Sequence, residues 1–299
     1  MLRVRHFRSF FLLTVFLFAG CAGRRSVILE RPQTVVSATD AATLRNDADK
    51  LWKQRDDPQK ARQALALYRR AFAADPTNVE LGTRLARAFH FAGYYVETDP
   101  AKQDSLFLQG VETGERVLAV NPSFQASYRK TTDEARALAA LDISWINPIY
   151  WTGLNYDRWV SGRSRLVRYR NKQRVEAYMT RVKELEPNFF YGAVPRYFGV
   201  LPTQGRAPFV DIDNAKREFD RALELAPNFF GNQRTYAETY AVKKKDRELF
   251  KKLLEQVING NPNALPDVAP ENKYEQETAK KMLARIEDYF SDKDKNDKK

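Results

Sequence analysis

Two nearly identical stretches, "ELEPNFFYG" (Glu184–Gly192) and "ELAPNFFG" (Glu224–Gly231), lie forty residues apart. Self-similarity at such a period is the mark of a repeat architecture, so this pair is read before anything else. Upstream of each Pro runs a pattern in which a small residue is followed after three by a large one, after two more by a small one, and after four more by Pro. Ala215, Phe219, Ala222 and Pro227 satisfy it fully, as do Ala64, Tyr68, Ala71 and Pro76. Val175, Met179, Val182 and Pro187 keep the spacing with larger residues at the small positions.

This is the second-helix spacing of a tetratricopeptide repeat. Small residues let paired helices touch, and Pro ends the second helix at a fixed point. Two further copies are degenerate: Gly110, Gly114, Val117, Pro122, with glycines where the helix must approach a neighbour, and Phe250, Leu254, Val257, Pro262. The chain lacks sustained strand alternation, so the fold class is all-α: a degenerate tetratricopeptide-like helical solenoid over residues 41–290. The prolines are unevenly spaced, and insertions interrupt the array. The 65-residue gap between Pro122 and Pro187 holds "INPIYWTGLNYDRW" (Ile146–Trp159), and "LPTQGRAPFVDID" (Leu201–Asp213) is too long for an ordinary helix connection.

The inserted segment reads as a central aromatic helix. Asn147 is its expected N-cap, Pro148 its first residue, Ile146 a staple onto Trp151, and Ser161–Gly162 its stop. Trp151, Asn155 and Trp159 then share one face. Before it, "TTDEARALAALDISW" opens with an expected capping box, Thr131 to Glu134, and brings Leu138, Leu141 and Trp145 along one side. Three of the four Trp fall within fifteen residues. Either they fill an irregular junction, with Asn155 bonded to backbone, or they line a cavity in which Asn155 is an isolated polar handle.

The N-terminus places the chain. Arg3, Arg5 and Arg8 precede an apolar run from Phe10 to Phe18, shorter than the ~20 residues that cross a bilayer, and residues 1–20 read as an export signal. Cys21, the only cysteine, follows "LFAG" and resembles a bacterial lipobox, so lipidation at Cys21 accounts for its having no disulfide partner. Residues 21–40 read as a tether and 291–299, "SDKDKNDKK", as a charged disordered tail. Cleavage before Cys21 takes the formal charge from +12 to +9, and an exported basic protein fits anionic headgroups or an acidic partner better than nucleic acid. Ala22 after the Cys permits transfer to the outer membrane.

Catalysis finds little support. There is no metal-spaced His/Cys cluster, phosphate loop or nucleophile elbow, so no enzyme, metal or cofactor is expected. His90 in "RLARAFHFAGYY" reads as structural or solvated, and Asp211 and Asp213 as helix-start residues. The run Arg163–Arg174 holds five Arg, one Lys and no acid. It is either a solvated connection or a docking patch (Arg163, Arg165, Arg168, Arg170) for headgroups or an acidic protein face. In "YGAVPRYFGVLP" Pro195, Gly199 and Pro202 interrupt an aromatic helix, as at a cavity border or bend.

With Cys21, "YWTGLNYDRW" and "EPNFFYGAVPRYFGVLP" followed by "NAKREFDRALELAPNFF", the chain resembles the T component associated with TRAP (tripartite ATP-independent periplasmic) transporters. The resemblance implies a periplasm-facing, all-helical lipoprotein that partners a substrate-binding P component, assembles as a homotrimer and offers an apolar cavity to a hydrophobic ligand. The cavity lining it implies is Trp145, Tyr150, Trp151, Asn155, Trp159, Tyr191, Tyr197 and Phe198. The family's glycine-rich "GGD" is here "TQGRAPFVDID". The rival reading is a repeat scaffold lipoprotein for outer-membrane or envelope assembly.

Overall fold

The computed structural model describes residues 24, 26–30, 38–204 and 210–290. The export signal, Cys21, the charged tail and the middle of the Leu201–Asp213 loop lie outside the described residues. Among those described there is no strand, and no helix is long and apolar enough to cross a membrane.

In chain order α1 (Ala38–Trp52), α2 (Pro58–Ala74), α3 (Val79–Phe91) and α4 (Pro100–Leu118) pair successively. After them come α5 (Pro122–Thr131), the short α6 (Glu134–Leu138), α7 (Ile146–Ser161) and α8 (Arg165–Leu185). The C-terminal part is α9 (Phe189–Val200), α10 (Ile212–Leu225), α11 (Phe230–Tyr236), α12 (Val242–Lys244), α13 (Arg247–Asn259), α14 (Ala269–Ala284) and α15 (Ile286–Phe290). The starts are written locally. Asp57, Asp99 and Asn121 each accept hydrogen bonds from the first-turn N–H groups of a helix that opens with Pro, whose missing donor would have been unsatisfied there anyway.

The three helical positions of all five expected repeat signatures are buried, and each Pro follows the end of its helix. Ala64, Ala71, Ala215, Phe219 and Ala222 have no exposed surface. The glycines have a steric reason. A Cβ on Gly110 would stand 2.4 Å from the Asn155 side chain, and one on Gly114 would stand 2.0 Å from Thr152 Oγ1. The backbone of α4 therefore lies directly against α7. Three apolar cores result, one around α1–α3, one around α10–α14, and the largest around α7 between them.

Local starts differ from expectation in the middle of the chain. Thr132 takes the left-handed region (φ 53°) and closes α5, so Asp133 rather than Thr131 caps α6, accepting from Ala135 N and Arg136 N. The helix expected to run on to Trp145 stops at Leu138, and a 3₁₀ turn (Ile143–Trp145) leads straight into α7. Asn147 is therefore an exposed residue inside the first turn of α7, not its cap. The presumed tether also contributes to the fold. Ile28 is fully buried, Arg24 pairs with Glu115 at 2.6 Å, and Val27 N–H donates to the same carboxylate at 2.9 Å.

An open solenoid would keep its ends apart. Here they meet. Arg55, just after the first helix, forks onto both carboxylate oxygens of Glu271 in α14 at 2.6 and 3.3 Å, and Arg87 of α3 donates to Glu271 Oε1 at 3.0 Å. Lys273 reaches Asp56 at 2.5 Å, and Tyr95 donates to Glu275 at 2.8 Å. Breaking a buried pair strands a charge and costs about 3–5 kcal/mol. Glu271→Ala is expected to lower the thermal midpoint far more than the exposed Glu277→Ala, and Arg55→Met and Arg87→Met with Glu271→Leu to recover much of the loss. A Glu271→Ala variant that melts with the parent would show that closure does not rest on this carboxylate.

Candidate functional site

Alongside α7 a series of spaces crosses the molecule. An outer groove of about 570 Å³ lies between the end of α7, the first half of α8 and the end of α9. It shares Asp157, Ser161 and Tyr197 with an inner chamber of about 150 Å³. The chamber shares Tyr150, Leu154 and Arg196 with a deep pocket of about 50 Å³. Arg87 and Trp151 separate that pocket from a cavity of about 580 Å³ on the far side, walled also by Trp52, Tyr68 and Arg84.

The wall is aromatic and cationic rather than plainly apolar. Arg87 stands over the Trp52, Trp151 and Phe190 rings at 5.5, 5.2 and 5.4 Å, within cation–π range. Arg196 binds Asn232 Oδ1 at 2.6 Å and lies over Phe229 at 4.9 Å. Arg158 lies over Tyr94 at 4.4 Å, and its Nε is buried without a hydrogen-bond partner. Among the described residues neither Arg158 nor Arg196 makes an ion pair. Arg234, by contrast, is fully engaged, donating to Glu275, Glu238 and the Tyr94 hydroxyl.

His90 lines the deep pocket, stacked on Tyr94 at 5.6 Å, with its Nδ1 unpartnered. Burial lowers its pKa well below the usual histidine value, and the positive charges of Arg158, Arg196 and Arg87 lower it further, so it is neutral at physiological pH. Burial raises Asp157, with Arg158 opposing.

Irregular backbone surrounds these spaces. Phe190, Tyr191 and Gly192 are left-handed in succession (φ 45°, 54° and 73°), which is strained for two aromatic residues. A Cβ on Gly192 would meet the Ala222 carbonyl at 3.0 Å, so glycine is required for space as well as for φ. The break expected at Pro195 falls here instead. The regular part of α9 begins after Gly192, leaving Pro195 in its first turn where no N–H is needed. Two π-helical turns, Ala92–Val96 and Ala237–Ala241, follow α3 and α11 and present Tyr94, Tyr95 and Glu238 to the same region.

Of the residues expected to line a cavity, the structure brings Tyr150, Trp151 and Tyr197 to the wall. Trp145 is half-buried between two cores, and Trp159 is buried under Arg163, whose guanidinium lies 4.5 Å from its ring. Tyr191 stacks on Phe229, and Phe198 packs under Lys183. Asn155 is fully buried and donates to Ala86 O at 2.9 Å and Trp151 O at 2.8 Å, the backbone-bonded arrangement. Arg163 is occupied by Asp104 at 2.6 Å, whereas Arg165, Arg168 and Arg170 are exposed. Asp211 caps α10 as expected. Sequence reading passed over Arg87, Arg158 and Arg196. Their signal was positional: Arg87, His90 and Tyr94 are spaced for one helical face among apolar residues.

Among the described residues no cluster of His, Cys, Asp or Glu could hold a metal ion. The arrangement defines an all-helical protein with aromatic and cationic spaces beside α7. Comparison with family models matches residues 54–290 to the TRAP transporter T-component, and the chain belongs to that family. It is thus an accessory transport component of the bacterial envelope. A comparison with curated proteins finds no match.

Wall and core residues are expected to respond differently to truncation. Trp159→Ala removes a ring packed on all sides and is expected to cost about 3–5 kcal/mol. Trp151 borders empty space on two sides, so Trp151→Ala should cost clearly less while joining the deep pocket to the far cavity. Asn155→Leu removes two side-chain hydrogen bonds to carbonyls that already accept within their own helices, at roughly 0.5–1.5 kcal/mol each. Urea unfolding of the three variants decides; equal losses for the two Trp variants would make Trp151 a core residue.

Proposed function

We propose that the chain is a lipid-anchored, periplasm-facing T component, held in the outer membrane through Cys21, that docks a substrate-binding P component and holds a small ligand in the spaces beside α7. The homotrimer implied by the family belongs to the same proposal. The observation that supports a ligand most directly is the pair Arg158 and Arg196, two half-buried guanidiniums at the inner chamber that form no ion pair among the described residues, although Asp157 and Glu238 also line it. A desolvated cation left unpaired is costly, and an acidic group offers bidentate pairing to such a fork. Tyr150, Leu154 and Tyr197 beside them suit an apolar body. The ligand is therefore read as an amphiphile, a hydrophobic molecule with one acidic head. A scaffold for envelope assembly needs no such interior, which is why the uptake role is preferred.

Purification from the native host in mild detergent, followed by native mass spectrometry, tests all three parts: the acyl mass on Cys21, a co-purifying P component and a bound small acid. Arg158→Ala with Arg196→Ala is expected to lower occupancy by that acid at least about tenfold while lowering the thermal midpoint only modestly, since both side chains are half-buried and form no ion pair, and the main loss is the Arg196 hydrogen bond to Asn232. Unaltered occupancy in the double variant would sink the acidic-head reading.

A further inference from the structure

The first half of α8 is a helix without a core. The buried side chains of α8 are Val175, Tyr178, Met179 and Val182, all in its second half. Arg165–Arg174 therefore extends about 15 Å with no buried residue of its own. Upstream of Asn171 no side chain of this helix makes an ion pair or hydrogen bond among the described residues. Ser164 gives no side-chain cap, and the first turn carries Arg and no acid, the unfavourable sense for the helix dipole. Leu166 is 49 % exposed and Tyr169 80 % exposed, among the largest exposed apolar side chains of the protein. Three unpaired Arg interleaved with an exposed Leu and Tyr need an anionic, partly apolar neighbour.

The N-terminal segment says where that neighbour lies. Arg24 and Arg174 both bind Glu115 Oε1, at 2.8 and 3.3 Å, so Arg24 is fastened to the base of this half-helix. Cys21 is three residues upstream and can be no more than about 10 Å from Arg24. Arg170 and Leu166 lie about 6 and 12 Å further along the α8 axis from Arg174. A chain anchored at Cys21 would thus carry the exposed half of α8 at headgroup depth.

We propose that Arg165–Arg170 of α8 is a membrane-contact helix: Arg165, Arg168 and Arg170 bind the anionic headgroups of a phospholipid bilayer, and Leu166 and Tyr169 enter its interface. The placement argument rests on the lipid-anchor reading of Cys21; the charge and exposure of the patch do not. Tyr and Leu at the acyl boundary with Arg at phosphate level is the arrangement amphipathic interfacial helices adopt. One consequence is that the outer groove, whose wall includes Arg165, Arg168 and Tyr169, opens beside the bilayer. An amphiphile could then pass between membrane and chamber without crossing bulk water.

The test uses the chain from position 21 onward with Cys21→Ser, which keeps every described residue and carries no acyl group. It is expected to sediment with vesicles of phosphatidylcholine and phosphatidylglycerol and not with vesicles of phosphatidylcholine alone. Arg165→Glu, Arg168→Glu and Arg170→Glu together should weaken that binding about a hundredfold, and Leu166→Ser with Tyr169→Ser should weaken it at unchanged charge. Lys251→Glu, Lys252→Glu and Lys280→Glu, an equal charge change on α13 and α14, should leave most of it. Equal binding by the two triple variants would reduce the effect to net charge and overturn the proposal. So would a patch variant that keeps vesicle binding and loses the P component instead. Because the chain tested has no lipid, failure of the anchor reading appears separately, as an unmodified Cys21 in the native protein.

Discussion

The buried carboxylate of Glu271 ties the two ends of the described chain together. Two guanidiniums, Arg55 and Arg87, converge on it from the N-terminal helices, although it lies 216 residues from the first of them. Neither charge could be left in the interior alone, because desolvation would exceed any packing gain. This pairing bridges the N-terminal and C-terminal helices. It ties α14 to the segment after α1 and to α3, beside the spaces that flank α7. Tyr95 on Glu275 and Lys273 on Asp56 repeat the constraint on either side.

Within that ring α7 is the axle. It touches α4 through two glycines and α8 through a third, Gly153, whose Cβ would collide with Tyr178 at 2.6 Å. Close backbone approach on one side brings the other side of α7, with Tyr150, Trp151, Leu154 and Arg158, toward the cavities. The same helix therefore serves two roles on two faces. Asn155 belongs to the packed face. Its two donated hydrogen bonds tie α7 to its own preceding turn and to α3.

That division explains what could be read in advance. The repeat signatures were legible because they are local: Ala64, Ala215 and Ala222 are small for contacts made one helix away, and the pattern repeats. The all-α class and the helix ends at the prolines follow from the same short-range logic. The site was legible only in part. Trp151, Asn155 and Trp159 do share a helical side, but a spacing of four drifts around a helix of 3.6 residues per turn, and the wall is reached by Tyr150, Trp151 and Leu154 instead. Composition drew attention to aromatic residues and away from Arg87, Arg158 and Arg196. A guanidinium in an apolar stretch reads as surface until its partner is known. The partner of Arg87 is set by ring closure, which is a tertiary event without a sequence period.

The irregular backbone belongs to the same account. Left-handed aromatics at Phe190 and Tyr191 and two π-helical turns are each less favourable than the regular helix they interrupt. Elsewhere among the described residues, positive φ outside glycine is confined to Thr132 and Lys245, single residues that end helices. The costly conformations thus gather where α3, α9 and α11 border the central spaces, and there they have a shared effect. A π turn widens the helix and re-aims the side chains that follow it. The one after α3 carries Tyr94 and Tyr95 inward to meet Arg234 and Glu275, which stand just before the other π turn and across from it on α14. The bend at Phe190–Gly192 turns Phe190 onto Trp151 and Arg87. The irregular turns place these aromatic and charged groups at the wall, where Tyr94 and Tyr95 meet Arg234 and Glu275.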